Sequence, residues 1–133
     1  MTSSETAPSP GVAGTRLAPV GGDWDVIQVG RFYGLQALQR LAAPGSVTVD
    51  GAVTAPTLSF FVPPGTAGVW RAPQTIALGP ATHVSLPPDG KEAPPGLWWL
   101  IPPRDGEITL TSADALRLAL EISFGPQPGA QAS

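Results

Sequence analysis

A hydrolytic centre needs a base, and the sequence offers one histidine, His83. It lies in the alternating stretch Thr82-His83-Val84-Ser85-Leu86, with Thr82, Val84 and Leu86 on one face and His83 and Ser85 on the other. The nearest acidic pair, Asp23 and Asp25, flanks Trp24; on a strand both carboxylates point one way, and such a pair can hold a hard cation. The simpler readings are a sheet-surface histidine and two solvated residues at a strand entry. No Gly-x-Ser-x-Gly turn presents a nucleophile. Gly21-Gly22 precedes a strand, whereas phosphate-cradling loops follow one and open a helix. The absence of Cys removes disulfides, thiolate catalysis and sulfur-ligated metals together. A hydrolase built on His83 with Asp23 or Asp25 is therefore the weakest of the functional readings.

The bulk numbers narrow the partner classes. The chain has 133 residues, with 17 Pro and 16 Gly, a quarter of all positions, and only 13% charged residues. So much Pro and Gly suggests disorder, but disorder also requires low hydrophobicity and high net charge, and here hydrophobics reach 42% at a net charge of −3. The length suits a single domain. The cations Arg16, Arg31, Arg40, Arg71, Lys91, Arg104 and Arg117 are scattered along the chain. Nucleic-acid binding draws on concentrated cations, so this spacing argues against it. The N-terminus shows no secretory signal, and no apolar run is long enough to span a membrane, so a cytoplasmic protein is expected.

The elements that must position any site follow from the patterning. Residues 1–22 and 125–133 are small, polar and rich in Pro and Gly, and read as disordered tails around a domain at 23–124. Strands are expected at 24–29, 46–50, 57–62, 75–78, 82–86 and 97–101, with a short strand or turn at 107–110. Three of these runs end in Pro-Pro, which cannot continue a ladder. Phe32, Leu35, Leu38 and Leu41 mark one face of a helix over about 31–43. A second helix begins at Thr111-Ser112-Ala113-Asp114, a capping box with Asp in place of Glu. It has Ala115, Leu116, Ala119, Leu120 and Ser123 on its apolar face, and Arg117 and Glu121 at i, i+4. The expected fold is a β-rich α+β domain with an antiparallel sheet and two helices.

The aromatic residues suggest a surface. Trp98 and Trp99, like Phe60 and Phe61, are adjacent on strands and point to opposite faces. Both members of a pair are buried only where the sheet is covered on both sides, and two helices cover one. The simpler reading of these aromatics is ordinary core and loop packing; where one of a pair is exposed, Phe61, Trp70, Trp98 and Trp99, with Arg71, are the candidate contacts for a partner.

Segments 34–41 (GLQALQRL), 58–65 (LSFFVPPG), Leu78-Gly79, 84–88 (VSLPP), 96–99 (GLWW) and 110–116 (LTSADAL) occur in an order that resembles the latter part of the bifunctional DNA primase/polymerase (Prim-Pol) domain of the archaeo-eukaryotic primase superfamily, in particular its short, reduced actinobacterial type. The resemblance covers about 90 residues of this sequence. It implies an α+β core with an RRM-like sheet, in agreement with the elements above. It also implies an Asp-x-Asp metal pair at Gln28 and Gly30, a nucleotide-binding histidine at Thr57 or Pro56, and a third acidic ligand near Ile76. None of these residues is the required type. A register error of a few residues would leave Asp25 or Asp50 as one remnant ligand. Two-metal nucleotidyl transfer needs carboxylates for both cations, so the resemblance implies a degenerate relative that does not polymerise.

The sequence is thus read as a non-enzymatic binding or regulatory module without a cofactor. A protein partner is expected, a second copy of the chain among the candidates. The alternative is non-catalytic binding of a nucleotide or single strand, with bases stacked on the aromatics and Arg71 and Arg104 against phosphate.

Overall fold

A computed structural model describes residues 15–51 and 54–125. Within them the order is β1 (Arg16–Pro19), β2 (Asp25–Gly30), α1 (Arg31–Arg40), β3 (Val47–Asp50), β4 (Thr57–Val62), α2 (Thr66–Val69), β5 (Thr75–Leu78), β6 (His83–Leu86), β7 (Leu97–Ile101) and α3 (Ala113–Phe124). The fold is α+β and β-rich, as expected. Five strands form one antiparallel sheet in the order β5-β2-β4-β3-β7, and β1 pairs antiparallel with β6 in a second sheet.

The alternation of each strand builds two apolar layers. Ile27, Val29, Val47, Val49, Leu58, Phe60 and Val62 form one core with Leu116, Ala119 and Leu120 of α3 and Ala37 of α1. Val26, Phe61 and Trp99 form the other, with Val20 and with Val84 and Leu86 of β6. Because both faces of the main sheet are covered, TLSFFV and LWWLI are nearly continuous apolar runs rather than alternating ones.

The second sheet corrects the tail assignment at 1–22. Residues 16–22 belong to the fold: β1 runs along β6 from Arg16↔Leu86 to Pro19↔His83, and Val20 is buried, its N–H donating to the Thr82 carbonyl at 2.9 Å. Arg-Leu-Ala-Pro carries no strand pattern of its own and becomes extended by pairing with a distant strand. The rest of that stretch, 1–14, and residues 126–133 at the other end lie outside the described residues.

The elements depart from expectation in four further places. On α1 the buried residues are Gly34 and Ala37, while Phe32 and Leu35 face outward. Small residues let the helix lie close to the sheet; a Cβ on Gly34 would sit 2.9 Å from Leu58 Cδ2 and 3.2 Å from Val29 Cγ1. A third helix, α2, follows the Pro63-Pro64-Gly65 turn, with Gly65 at φ 94°. Among the described residues, 107–110 contributes only an isolated bridge between Arg104 and Glu107. Finally, α3 is capped one residue later than the box predicts, by Ser112, whose Oγ accepts from the Ala115 N–H at 3.2 Å. Thr111 is unavailable as the cap: it is buried, its Oγ1 accepts from the Gly45 N–H at 2.8 Å and its N–H donates to the Phe61 carbonyl at 2.7 Å. The expected α3 pair is present, with Arg117 3.4 Å from Glu121.

Candidate functional site

The sheet face turned away from α1 and α3 changes character along its strands. At one end it carries Val26, Phe61 and Trp99, buried beneath β1 and β6. Two residues further along β2 and β4 it turns polar. Gln28 pairs with Ser59, Ser59 with Thr48 and Thr48 with Trp99, a row that crosses four strands in register. The Gln28 Nε2 donates to Ser59 Oγ at 3.2 Å. Thr48 and Ser59 are buried at 1% and 6% exposure, so the row is a hydrogen-bonding floor rather than a solvated surface. Above it lies a cleft of about 260 Å³, lined by Gln28, Thr48, Ser59 and Asp50 from the main sheet and by His83 and Ser85 from β6.

The four positions singled out by the resemblance come together on this face. Gln28 is paired with Ile76 and Gly30 with Thr57, and the two-residue period puts all four side-chain positions on one side of the sheet. Asp50, paired with Thr57 and Leu97, joins them there, whereas Asp25 turns to the opposite face. The floor therefore offers amide and hydroxyl groups with a single carboxylate. Among the described residues no three His, Asp or Glu side chains lie close enough to share a metal ion.

His83, Asp23 and Asp25 do not assemble. His83 is an exposed residue at the start of β6, opposite Pro19, on the rim of the sheet-face cleft. Asp23 is exposed in a separate open cleft of about 720 Å³ with Arg16, Trp24 and Glu107. Asp25 is fully buried, and its Oδ2 accepts from the Gly65 N–H at 3.0 Å and the Ala67 N–H at 2.9 Å. The two acids do not point one way, because the chain turns at Gly21, whose N–H donates to the Trp24 carbonyl, and β2 begins only at Asp25.

Three of the expected partner contacts are core residues. Phe61 and Trp99 are 0% and 1% exposed, with ring centroids 6.0 Å apart, and Trp24 packs edge-on against Phe61 at 4.9 Å. The cover for this side is the β1–β6 sheet, which the two-helix expectation lacked. Trp70 is buried in the helix-side core, its Nε1 donating to Thr75 Oγ1 at 2.8 Å. Trp98 is half-buried against the same core. Arg71 and Arg104 are exposed; the Arg71 guanidinium donates to the Trp70 carbonyl at 2.8 Å, and Arg104 pairs through its backbone with Glu107.

Exposed apolar side chains lie elsewhere, on β1, α1, α2, β5 and α3. Phe32 is 68% exposed and Leu35 39%, one turn apart on α1. The Phe32 ring packs edge-on against Tyr33 at 5.2 Å, and Tyr33 against Phe124 of α3 at 4.9 Å. An aromatic run thus reaches from the helix pair to the surface, with Phe32 as its outermost ring. The signal for it in the sequence is the small-residue pair Gly34 and Ala37, which competes with the Phe32–Leu41 stripe for the sheet.

Compared with known proteins, the chain matches no family model, no curated protein and no solved structure. Among the described residues no helix is long and apolar enough to cross a membrane.

Proposed function

We propose that this chain is a non-enzymatic binding module on a degenerate primase-like scaffold, and that it engages a protein partner through the aromatic end of α1. The observation that carries the reading is Phe32, 68% exposed and braced edge-on by Tyr33. A ring fixed at the surface loses little conformational freedom on binding and has a large apolar area left to bury. Leu35 extends the same strip by one turn. The scaffold part of the reading is supported by the gathering of Gln28, Gly30, Thr57 and Ile76 on one sheet face, where these residue types replace carboxylates and a histidine. The test compares proteins recovered by the wild-type chain with those recovered by a Phe32→Ser, Leu35→Ser variant. A specific partner that the variant loses supports the reading. Identical recoveries, or no partner at all, count against it.

The polar floor favours a second reading, non-catalytic binding of a nucleoside or single strand in the cleft over Gln28, Thr48 and Ser59. Low-salt NMR titration with nucleosides, nucleotides and short single strands tests it through the Gln28 side-chain amide. An unmoved resonance at millimolar ligand removes this reading.

A further inference from the structure

Sheet edges recruit partners because one row of backbone N–H and C=O groups has no strand beside it. Among the described residues β5 and β7 bound the main sheet, and β1 and β6 form the small one. Three of these four edges carry protection. Strand β1 contains Arg16 and Pro19. Strand β6 opens on His83, and two prolines follow its end. On β7 the outer side is used by a loop, since the Trp99 N–H donates to the Lys91 carbonyl at 2.8 Å. Strand β5, Thr-Ile-Ala-Leu, has no charge and no proline within it, Pro73 and Pro80 lying beyond Gln74 and Gly79 at its two ends, and among the described residues its backbone bonds only to β2. Its central side chain, Ile76, is 59% exposed.

We infer that β5 is the edge at which a second copy of this chain adds, strand against strand and antiparallel, to join the two five-stranded sheets. A second copy fits because the strand is complementary to itself. It is uncharged, so a twofold axis brings no like charges together. The register follows from parity. A twofold axis perpendicular to the sheet keeps each face on its own side, so residues opposed across it must share a face. The axis therefore passes through Ile76 or through Ala77, never between them. In the first register Ile76 meets Ile76 of the second copy; in the second it meets Leu78 of the second copy, on the same face. Both cover the side chain that the monomer leaves exposed. Four residues of pairing make a small interface, so the dimer is reversible and forms with rising concentration.

Sedimentation equilibrium of the full chain from micromolar to millimolar concentration tests this. The weight-average mass should climb from 13.6 kDa towards twice that value. The variant Ile76→Lys, which changes an exposed side chain and should keep the wild-type circular dichroism, places two ammonium groups at the axis in the first register and a charge against Leu78 of the second copy in the second, and should stay at 13.6 kDa throughout. Amide exchange of the 75–78 backbone should slow with concentration in the wild type alone. A wild-type chain that remains monomeric at millimolar concentration overturns the proposal, including the case in which β5 instead receives a peptide of another protein. So does an Ile76→Lys variant that associates as the wild type does. The Phe32→Ser, Leu35→Ser variant should dimerise normally, so failure here is distinct from failure of the α1 surface.

Discussion

The Asp25 carboxylate is bound to the backbone of Gly65: Oδ2 accepts the Gly65 N–H at 3.0 Å across 40 residues of sequence, and the Ala67 N–H at 2.9 Å beside it. The acid at the start of β2 thereby fixes the turn after β4 and the first residues of α2. Gly65 sits at φ 94°, a conformation that side-chain-bearing residues rarely adopt, and the carboxylate holds the turn there.

Removal of that carboxylate should destabilise the whole chain. Asp25 is fully buried, and Asp25→Ala takes the acceptor from the Gly65 and Ala67 N–H groups, which hold the turn through it. Hydrogen bonds to a charged group contribute about 1.5–3 kcal/mol. The expected loss is about 2 kcal/mol, read from the midpoint of urea denaturation at unchanged slope. A midpoint equal to the wild type would mean that the turn holds without Asp25.

Asp25 also shows where the sequence is legible and where it is not. Strands 57–62, 75–78 and 97–101 can be bounded from sequence because the signals are local: apolar runs, and for two of them a Pro-Pro stop that no ladder crosses. Asp25 looks like half of a cation pair because its true partners are donors at Gly65 and Ala67, far along the chain. Strand β1 is hidden for the same reason, since only pairing with β6 makes Arg16–Pro19 extended. Its absence from the expected fold then leaves Phe61 and Trp99 without a cover and makes core residues look like partner contacts. The shared face of Gln28, Gly30, Thr57 and Ile76 is legible once the strands are placed, because period-two alternation decides it.

Gly34→Ala sets helix propensity against packing. Alanine gains up to about 1 kcal/mol over glycine in a helix interior. The added methyl, however, would lie 2.9 Å from Leu58 Cδ2 and 3.1 Å from Leu58 Cβ, and Leu58 is fully buried between the helix and the sheet. Overpacking of that kind costs about 1–3 kcal/mol, so packing should win and the variant should melt below the wild type. A higher melting temperature would show that α1 can lift from the sheet without penalty.

Trp70 and Phe32 should separate core from surface. Trp70 is 8% exposed and donates to Thr75, so Trp70→Ala should cost about 3–5 kcal/mol and lose much of the cooperative transition. Phe32→Ser changes a ring that is 68% exposed and should shift stability by no more than about 0.5 kcal/mol. Parallel denaturant titrations check both. Large destabilisation by Phe32→Ser would identify that ring as structural and remove the basis for a partner surface on α1.

The sheet face should accept the carboxylates that the resemblance leads one to expect there. Positions 28 and 30 share one face of β2, about 6.7 Å apart along the strand. A Cβ at Gly30 meets nothing within 4 Å, and the residue has φ −54°, so a side chain fits without strain. Gln28→Asp with Gly30→Asp therefore places two acids on β2 opposite Ser59 and Thr57 of β4, with Asp50 one strand further on, on β3. Two carboxylates on one rigid strand should hold a divalent cation weakly, at a Kd of about 10⁻⁴–10⁻³ M. With Mn²⁺ as the probe, paramagnetic broadening should appear at the Thr57 and Ser59 amides of the double variant and be absent in the wild type. Broadening scattered over the surface, or none at millimolar Mn²⁺, would mean that this face lacks the geometry of a paired-carboxylate site, and would count against the proposed primase-like scaffold.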